Sequence, residues 1–289
     1  MFQGSITAII TPFKNGKFDK DAFANLIEYQ IANGTTAIVP CGTTGESATM
    51  SHAEHHEVIA FAVEQVRHRI QVIAGTGSNS TSEALDLTIA ARDLGADAAL
   101  LISPYYNKPM QEGIYLHYTT IAQQSKIPLV VYNCPGRTGS TISPDTVARL
   151  SEVPGIVAYK DAVGSIDHTS EVISKCGITV LSGNDSMNLP IIAVGGKGSI
   201  SVLANFAPRA NADLCNAALE GRWCEALELH KKYFNLSQTL FIESNPIMVK
   251  AACEMMGLCG GEIRMPLTPA ADTNRAKLRA SMQAVGLVQ

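Results

Sequence analysis

The chain has 289 residues, 46% of them hydrophobic and 17% charged, enough to bury one large core and too apolar for a disordered segment. A net charge of −4 and a pI near 6.0 leave no electrostatic footprint for nucleic acid, and no apolar run reaches the ~18 residues that would suggest a membrane span. The start, Met1-Phe2-Gln3-Gly4-Ser5, lacks the basic and apolar regions of a signal peptide. Seven scattered cysteines without a C-x-x-C pair point to free thiols in a reducing cytoplasm.

Along the chain, short β-rich runs alternate with segments of helical period. The runs fall at 5–11, 37–41, 71–74, 98–103, 128–132, 155–160, 179–182 and 198–203. Helical stretches lie between and after them at 21–32, 53–66, 82–94, 112–123, 144–150, 166–175, 186–194 and 209–219. Asp19, Ser51, Thr81 and Ser143 read as N-caps, and Gly34 and Gly95 as stops. Continuous apolar runs such as Ala99-Leu100-Leu101-Ile102 suit strands buried on both faces. Eight such units predict an α/β fold, a parallel (β/α)8 TIM barrel, over residues 1–221. An open doubly wound sheet is disfavoured because no G-x-G-x-x-G follows the first run. Residues 222–289 read as a C-terminal helical appendage, with helices at 223–240, 246–256 and 272–285.

In a barrel of this kind chemistry sits at the C-terminal ends of the strands. Strand two closes on Gly42-Thr43-Thr44-Gly45-Glu46, a tight turn whose backbone amides can approach an anion, or an ordinary βα turn. Strand four leads to Pro104-Tyr105-Tyr106-Asn107. Strand five ends at Tyr132-Asn133, followed by a loop containing Arg137, either a bidentate carboxylate clamp or a surface ion-pair residue. Strand six ends in Tyr159-Lys160-Asp161, and strand seven in Ser182-Gly183-Asn184-Asp185. A lysine closing an apolar strand points into the barrel mouth, where desolvation lowers its pKa from ~10.4. A neutral amine there can form an imine with a ketone; the alternative is a lysine that snorkels to solvent. Tyr132 could shuttle protons with help from Thr43, or serve as a core tyrosine. Gly195-Gly196-Lys197-Gly198 precedes strand eight, on the face away from the chemistry, and reads as a structural turn. His52, His55 and His56 lack a completing metal-ligand pattern and read as a solvated helix face; no metal or cofactor is expected.

Taken together, Gly42-Thr43-Thr44-Gly45-Glu46-Ser47, Pro104-Tyr105-Tyr106-Asn107-Lys108-Pro109, Tyr132-Asn133-Cys134-Pro135-Gly136-Arg137-Thr138-Gly139 and Tyr159-Lys160-Asp161 resemble the dihydrodipicolinate synthase (4-hydroxy-tetrahydrodipicolinate synthase) family. The likeness runs over essentially the whole chain, to Arg264-Met265-Pro266-Leu267-Thr268-Pro269. It implies a lyase that condenses pyruvate with L-aspartate 4-semialdehyde on the route to lysine. Lys160 would carry the imine, and Tyr132, Thr43 and Tyr106 a proton relay, with Tyr106 reaching into a neighbouring subunit. The amides of Thr43 and Thr44 would hold the pyruvate carboxylate, Arg137 the aldehyde's carboxylate, and the Ile200 carbonyl would face the lysine. The resemblance also implies a homotetramer built as a dimer of tight dimers, and inhibition by lysine at Ser47, Ala48, His52, His55, Asn79, Glu83 and Tyr105. Asn184 departs from the acid many members carry there, and Asp161 from the usual glutamate. Two other readings stay open: a sister aldolase acting on sugar acids, against which Arg137 argues, and a non-catalytic lysine sensor, against which Lys160 argues.

Overall fold

The eight apolar runs form eight parallel strands in the computed structural model, which describes residues 2–289. They are β1 (Gly4–Thr7), β2 (Ala37–Ile38), β3 (Gln71–Gly75), β4 (Ala98–Ile102), β5 (Leu129–Asn133), β6 (Ile156–Asp161), β7 (Thr179–Ser182) and β8 (Gly198–Ser201). Each pairs with the next in sequence, and β1 pairs with β8, so the sheet closes into a barrel with no free edge. A helix follows each strand: α1 (Lys20–Ala32), α2 (His52–Val66), α3 (Thr81–Asp93), α4 (Gln111–Ser125), α5 (Pro144–Ser151), α6 (Ile166–Lys175), α7 (Asn188–Ala193) and α8 (Pro208–Leu219). The fold is the (β/α)8 barrel.

The caps explain the boundaries. Asp19, Ser51 and Ser143 accept from the third residue onward, at Ala22, Glu54 and Thr146. For α3 the cap is Ser80, one residue before the expected Thr81, and its hydroxyl accepts from Glu83 N. Strand β1 is shorter than its apolar run because, beyond the Ala8 N–H that still donates to the Ser201 carbonyl of β8, the chain meets a side chain instead of a neighbouring strand. Asn205 Oδ1 accepts from Ile10 N, and its Nδ2 donates to the Ala8 carbonyl, both at 2.8 Å. A two-stranded ribbon, Phe13–Lys14 with Lys17–Phe18, follows; its Asn15-Gly16 turn has positive φ at both residues, the hairpin geometry that this pair favours.

Strand alternation divides the core. Ala158, Tyr132, Leu181 and Ile200 point inward and fill the barrel, while Tyr159 and Val131 point outward under the helices. Three C-terminal helices, α9 (Trp223–Thr239), α10 (Ile247–Met255) and α11 (Asp272–Ala284), complete the chain. Leu236, Leu240, Met248 and Leu278 share one cluster with Phe23 and Leu26 of α1 and Val58 of α2. The connection between α9 and α10 thereby lies over the mouth of the barrel. No helix among the described residues is long and apolar enough to cross a membrane.

Candidate active site

Strand β6 delivers Lys160 to the C-terminal end of the barrel, in register with Tyr132 of β5. Lys160 is only 5% exposed, and its Nζ lies 4.1 Å from the centroid of the Tyr132 ring. Gly183, just past β7, makes room for the lysine stem: a Cβ there would come within 2.9 Å of Lys160 Cε. Gly183→Ala is therefore expected to displace the amine and slow its capture of a keto acid by about 10- to 100-fold; the same Cβ would also meet Ala162 Cβ at 2.9 Å and the Asp161 carbonyl at 3.1 Å, so a loss of about 1–3 kcal/mol of stability should accompany it, as borohydride trapping and thermal unfolding would measure.

Burial pushes the Lys160 pKa down to about 8; Cys134 and Asp185 oppose the shift, and Arg137 assists it. Roughly a tenth of the amine is then neutral at pH 7, far more than for a free lysine. Because the lowered pKa leaves the neutral form dominant only above it, imine formation should rise about tenfold per pH unit below pH 8 and level off above it. The trapping rate measured against pH checks this. Burial raises the Tyr132 pKa well above its ordinary value, and the Cys134 thiol adds to the rise, so the phenol keeps its proton and can donate it.

A cavity of about 690 Å³ opens above Lys160. Thr43, Thr44, Tyr132, Arg137 and Lys160 all line it. The main-chain N–H groups of Thr43 and Thr44 have no acceptor among the described residues, leaving two adjacent donors in the cavity wall. The turn itself is closed by Gly45 N and Ser47 N bonding to the Gly42 carbonyl. Gly75 allows β3 to pass against it, since a Cβ there would collide with the Cys41 carbonyl. No direct hydrogen bond joins the Tyr132 and Thr43 hydroxyls among the described residues. Asp185 accepts from Val202 N and Leu203 N, each at 2.9 Å, and so fixes the loop after β8, whose Val202 also lines the cavity.

Two expected residues, one called for its carbonyl and the other for a neighbouring subunit's site, are not among those lining this cavity. Ile200 is 1% exposed in the inner barrel cluster and is not among the lining residues. Tyr106 is 87% exposed, with φ at 73°, and turns away from the cavity of its own chain. The sequence reading missed the far wall: Ser237, Phe241, Ser244 and Asn245, all from the α9–α10 region, face the strand ends across the cavity. Asn245 Nδ2 donates to Thr44 Oγ1 at 2.9 Å, and its carbonyl accepts from Arg137 Nη2 at 3.0 Å.

A second cavity, of about 500 Å³, adjoins the first and shares Thr43, Ser47, Arg137 and Asn245 with it. Ser47, Ala48, His52, His55, Glu83 and Tyr105 line it; Asn79 does not, and its carbonyl instead accepts from Asn107 Nδ2 at 2.9 Å. A hydrogen bond from Ser78 Oγ lowers the Glu83 pKa, helped by His52 Nε2 at 3.0 Å, so this wall carries a negative charge. Burial keeps His55 neutral, and its Nε2–H donates to the Gly75 carbonyl at 2.8 Å.

A 4-hydroxy-tetrahydrodipicolinate synthase of Geotalea uraniireducens (strain Rf4) is 53% identical over 290 residues, covering all of both chains. The chloride-inhibited dihydrodipicolinate synthase of Acinetobacter baumannii, solved in complex with pyruvate, superposes with a TM-score of 0.97 at 47% identity over 100% of each chain. The Cyanidioschyzon merolae enzyme with lysine bound superposes at 0.96 and 37% identity over 99% of each. The profile of the dihydrodipicolinate synthetase family matches residues 1–285, and the chain belongs to that family.

Proposed function

We propose that this chain is a lyase that condenses pyruvate with L-aspartate 4-semialdehyde to give 4-hydroxy-tetrahydrodipicolinate. The observation that carries the reading is a buried amine of lowered pKa, Lys160, in one cavity with the phenol of Tyr132 and the free N–H pair of Thr43 and Thr44. The neutral amine attacks the ketone carbon of pyruvate, and loss of water leaves an imine. The N–H pair holds the pyruvate carboxylate. Tyr132 passes protons at the reacting carbon and oxygen, with Thr43 as its neighbour in the relay. Loss of a methyl proton gives an enamine whose carbon adds to the aldehyde, while the aldehyde oxygen takes up a proton. Arg137 orients that aldehyde through its carboxylate. The substrate's own amine then displaces Lys160 from the imine carbon, closing the ring and freeing the lysine.

Lysine is the proposed inhibitor in the second cavity, where the ionised Glu83 suits its ammonium and Tyr105 and Ser47 offer donors to its carboxylate. A homotetramer of tight dimers, with Tyr106 completing a neighbour's relay, is supported by the exposure of Tyr106 and of Met110 near it. The seven free cysteines suit a cytoplasmic enzyme. The test is incubation with pyruvate and borohydride, followed by peptide mapping and turnover assays. A single adduct on Lys160, with strong preference for L-aspartate 4-semialdehyde over sugar acids, is expected; an adduct on another residue, or a preference for the sugar acid, would overturn the reading.

A further inference from the structure

The two groups assigned to the substrates' carboxylates meet on one residue that belongs to neither of their strands. Asn245 lies 201 residues after Thr44 and 108 after Arg137, yet it bonds to both, through its side-chain amide and its main-chain carbonyl respectively. It is 6% exposed and lines both cavities. Its Oδ1 is buried without a partner among the described residues. In this orientation Nδ2 donates to Thr44 Oγ1; turned over, the amide would leave Nδ2 alone and take the Thr44 proton, the state that Asn245→Asp imposes. A buried polar atom without a partner is unfavourable, and an apolar side chain of the same shape would avoid it. The amide is therefore poorly accounted for as packing.

Its bond to Thr44 has a chemical consequence. As the acceptor from Asn245, the Thr44 hydroxyl keeps its own proton available, next to the free N–H groups of Thr43 and Thr44. Three donors then stand together for one anion. The carbonyl of Asn245 ties one N–H of the Arg137 guanidinium, which fixes the plane of the fork and leaves its other donors for the second anion. We propose that Asn245 is a positioning residue that sets Thr44 as a donor to the keto-acid carboxylate and holds Arg137 at a fixed separation from it. This rests on the aldol reading of the cavity and adds how the two anion sites are kept in register.

The test separates binding from chemistry. Asn245→Asp is nearly isosteric, but its carboxylate consumes the Thr44 proton and places a negative charge beside the anion site. It is expected to raise KM for pyruvate about tenfold or more while kcat changes less than about threefold. KM for the aldehyde should rise less, because the main-chain bond to Arg137 remains. Asn245→Ala should raise KM for pyruvate several-fold, and that effect should vanish in a Thr44→Val background. Thermal unfolding of each variant accompanies the kinetics, and Asn245→Asp carries the test if the alanine variant does not fold. Unchanged KM values, or an equal rise with and without the Thr44 hydroxyl, would overturn the proposal. If the unaltered protein fails to trap pyruvate, the aldol reading itself falls; if it traps normally and the Asn245 variants leave KM unmoved, only the role of Asn245 falls.

Discussion

Lys160→Met is expected to lower turnover by at least about 10⁴-fold while leaving thermal stability equal to or above that of the unaltered protein. The two halves of the result come from the same burial. Methionine fills nearly the volume of the lysine stem but offers no amine, so no imine forms and the cavity loses its covalent step. Lysine at this position is costly to the fold, since burial already drives its pKa down to about 8. Removing an amine that is 5% exposed, lies 4.1 Å from the Tyr132 ring centroid and makes no salt bridge among the described residues relieves desolvation without orphaning a close ionic partner. Steady-state assay, borohydride trapping and thermal unfolding on one preparation measure all three effects. Residual turnover within tenfold of normal would remove Lys160 from the chemistry. A large fall in stability would show that its amine has a structural partner beyond the ring of Tyr132.

Lys160 was legible in the sequence because a charge closing an apolar strand is a local signal. The same holds for the barrel: parallel strands buried on both faces read as unbroken apolar runs, and four to seven residues of pattern suffice to see each one. The exceptions have local causes as well. The run after Thr7 is as apolar as a strand, but past the Ala8 N–H the Ala8 carbonyl and the Ile10 N–H bond to the side chain of Asn205, far along the chain. The Phe13–Phe18 ribbon carries its own signal in Asn15-Gly16, which the alternation of barrel strands overshadowed. The far wall of the cavity is different in kind. Ser237 lies near the end of a stretch that reads as helix, Phe241 and Asn245 fall in the short link after it, and nothing near them in sequence indicates the strand ends they face. Their place follows from how α9 and α10 pack on α1 and α2, a property of the whole core. Lys250 was also passed over in the sequence, a lone charge in Ile247-Met248-Val249-Lys250-Ala251-Ala252-Cys253 whose partner nothing nearby in sequence indicates.

That partner is Glu46, at the end of the turn that carries Thr43 and Thr44, and the pair gives the second large expected effect. Lys250 Nζ contacts Glu46 Oε1, both side chains are 1% exposed, and the ammonium also donates to the Glu262 carbonyl at 2.8 Å above the ring of Phe13. Glu46 Oε2 accepts from Arg264 N at 3.0 Å, and Arg264 in turn pairs with Glu54. Burial pulls the Lys250 pKa down and Glu46 holds it up, the balance expected of a buried pair. Such a pair adds little net stability, but removing one partner leaves the other charged and unsolvated. Lys250→Met should therefore destabilise the fold by about 3–5 kcal/mol, as denaturant or thermal unfolding would measure. Adding Glu46→Gln should restore a substantial part, with a coupling of roughly 1–3 kcal/mol between the two changes. Strictly additive losses would mean that each residue acts through other contacts. Glu46 holds φ at 59°, in the left-handed region, and its carboxylate ties this turn to Lys250 and Arg264 of the C-terminal region, beside the bond from Asn245 to Thr44. Loosening it should let the free N–H groups of Thr43 and Thr44 drift from the amine of Lys160. Below its unfolding temperature the Lys250→Met protein should thus bind pyruvate more weakly, although residue 250 is not among those lining either cavity.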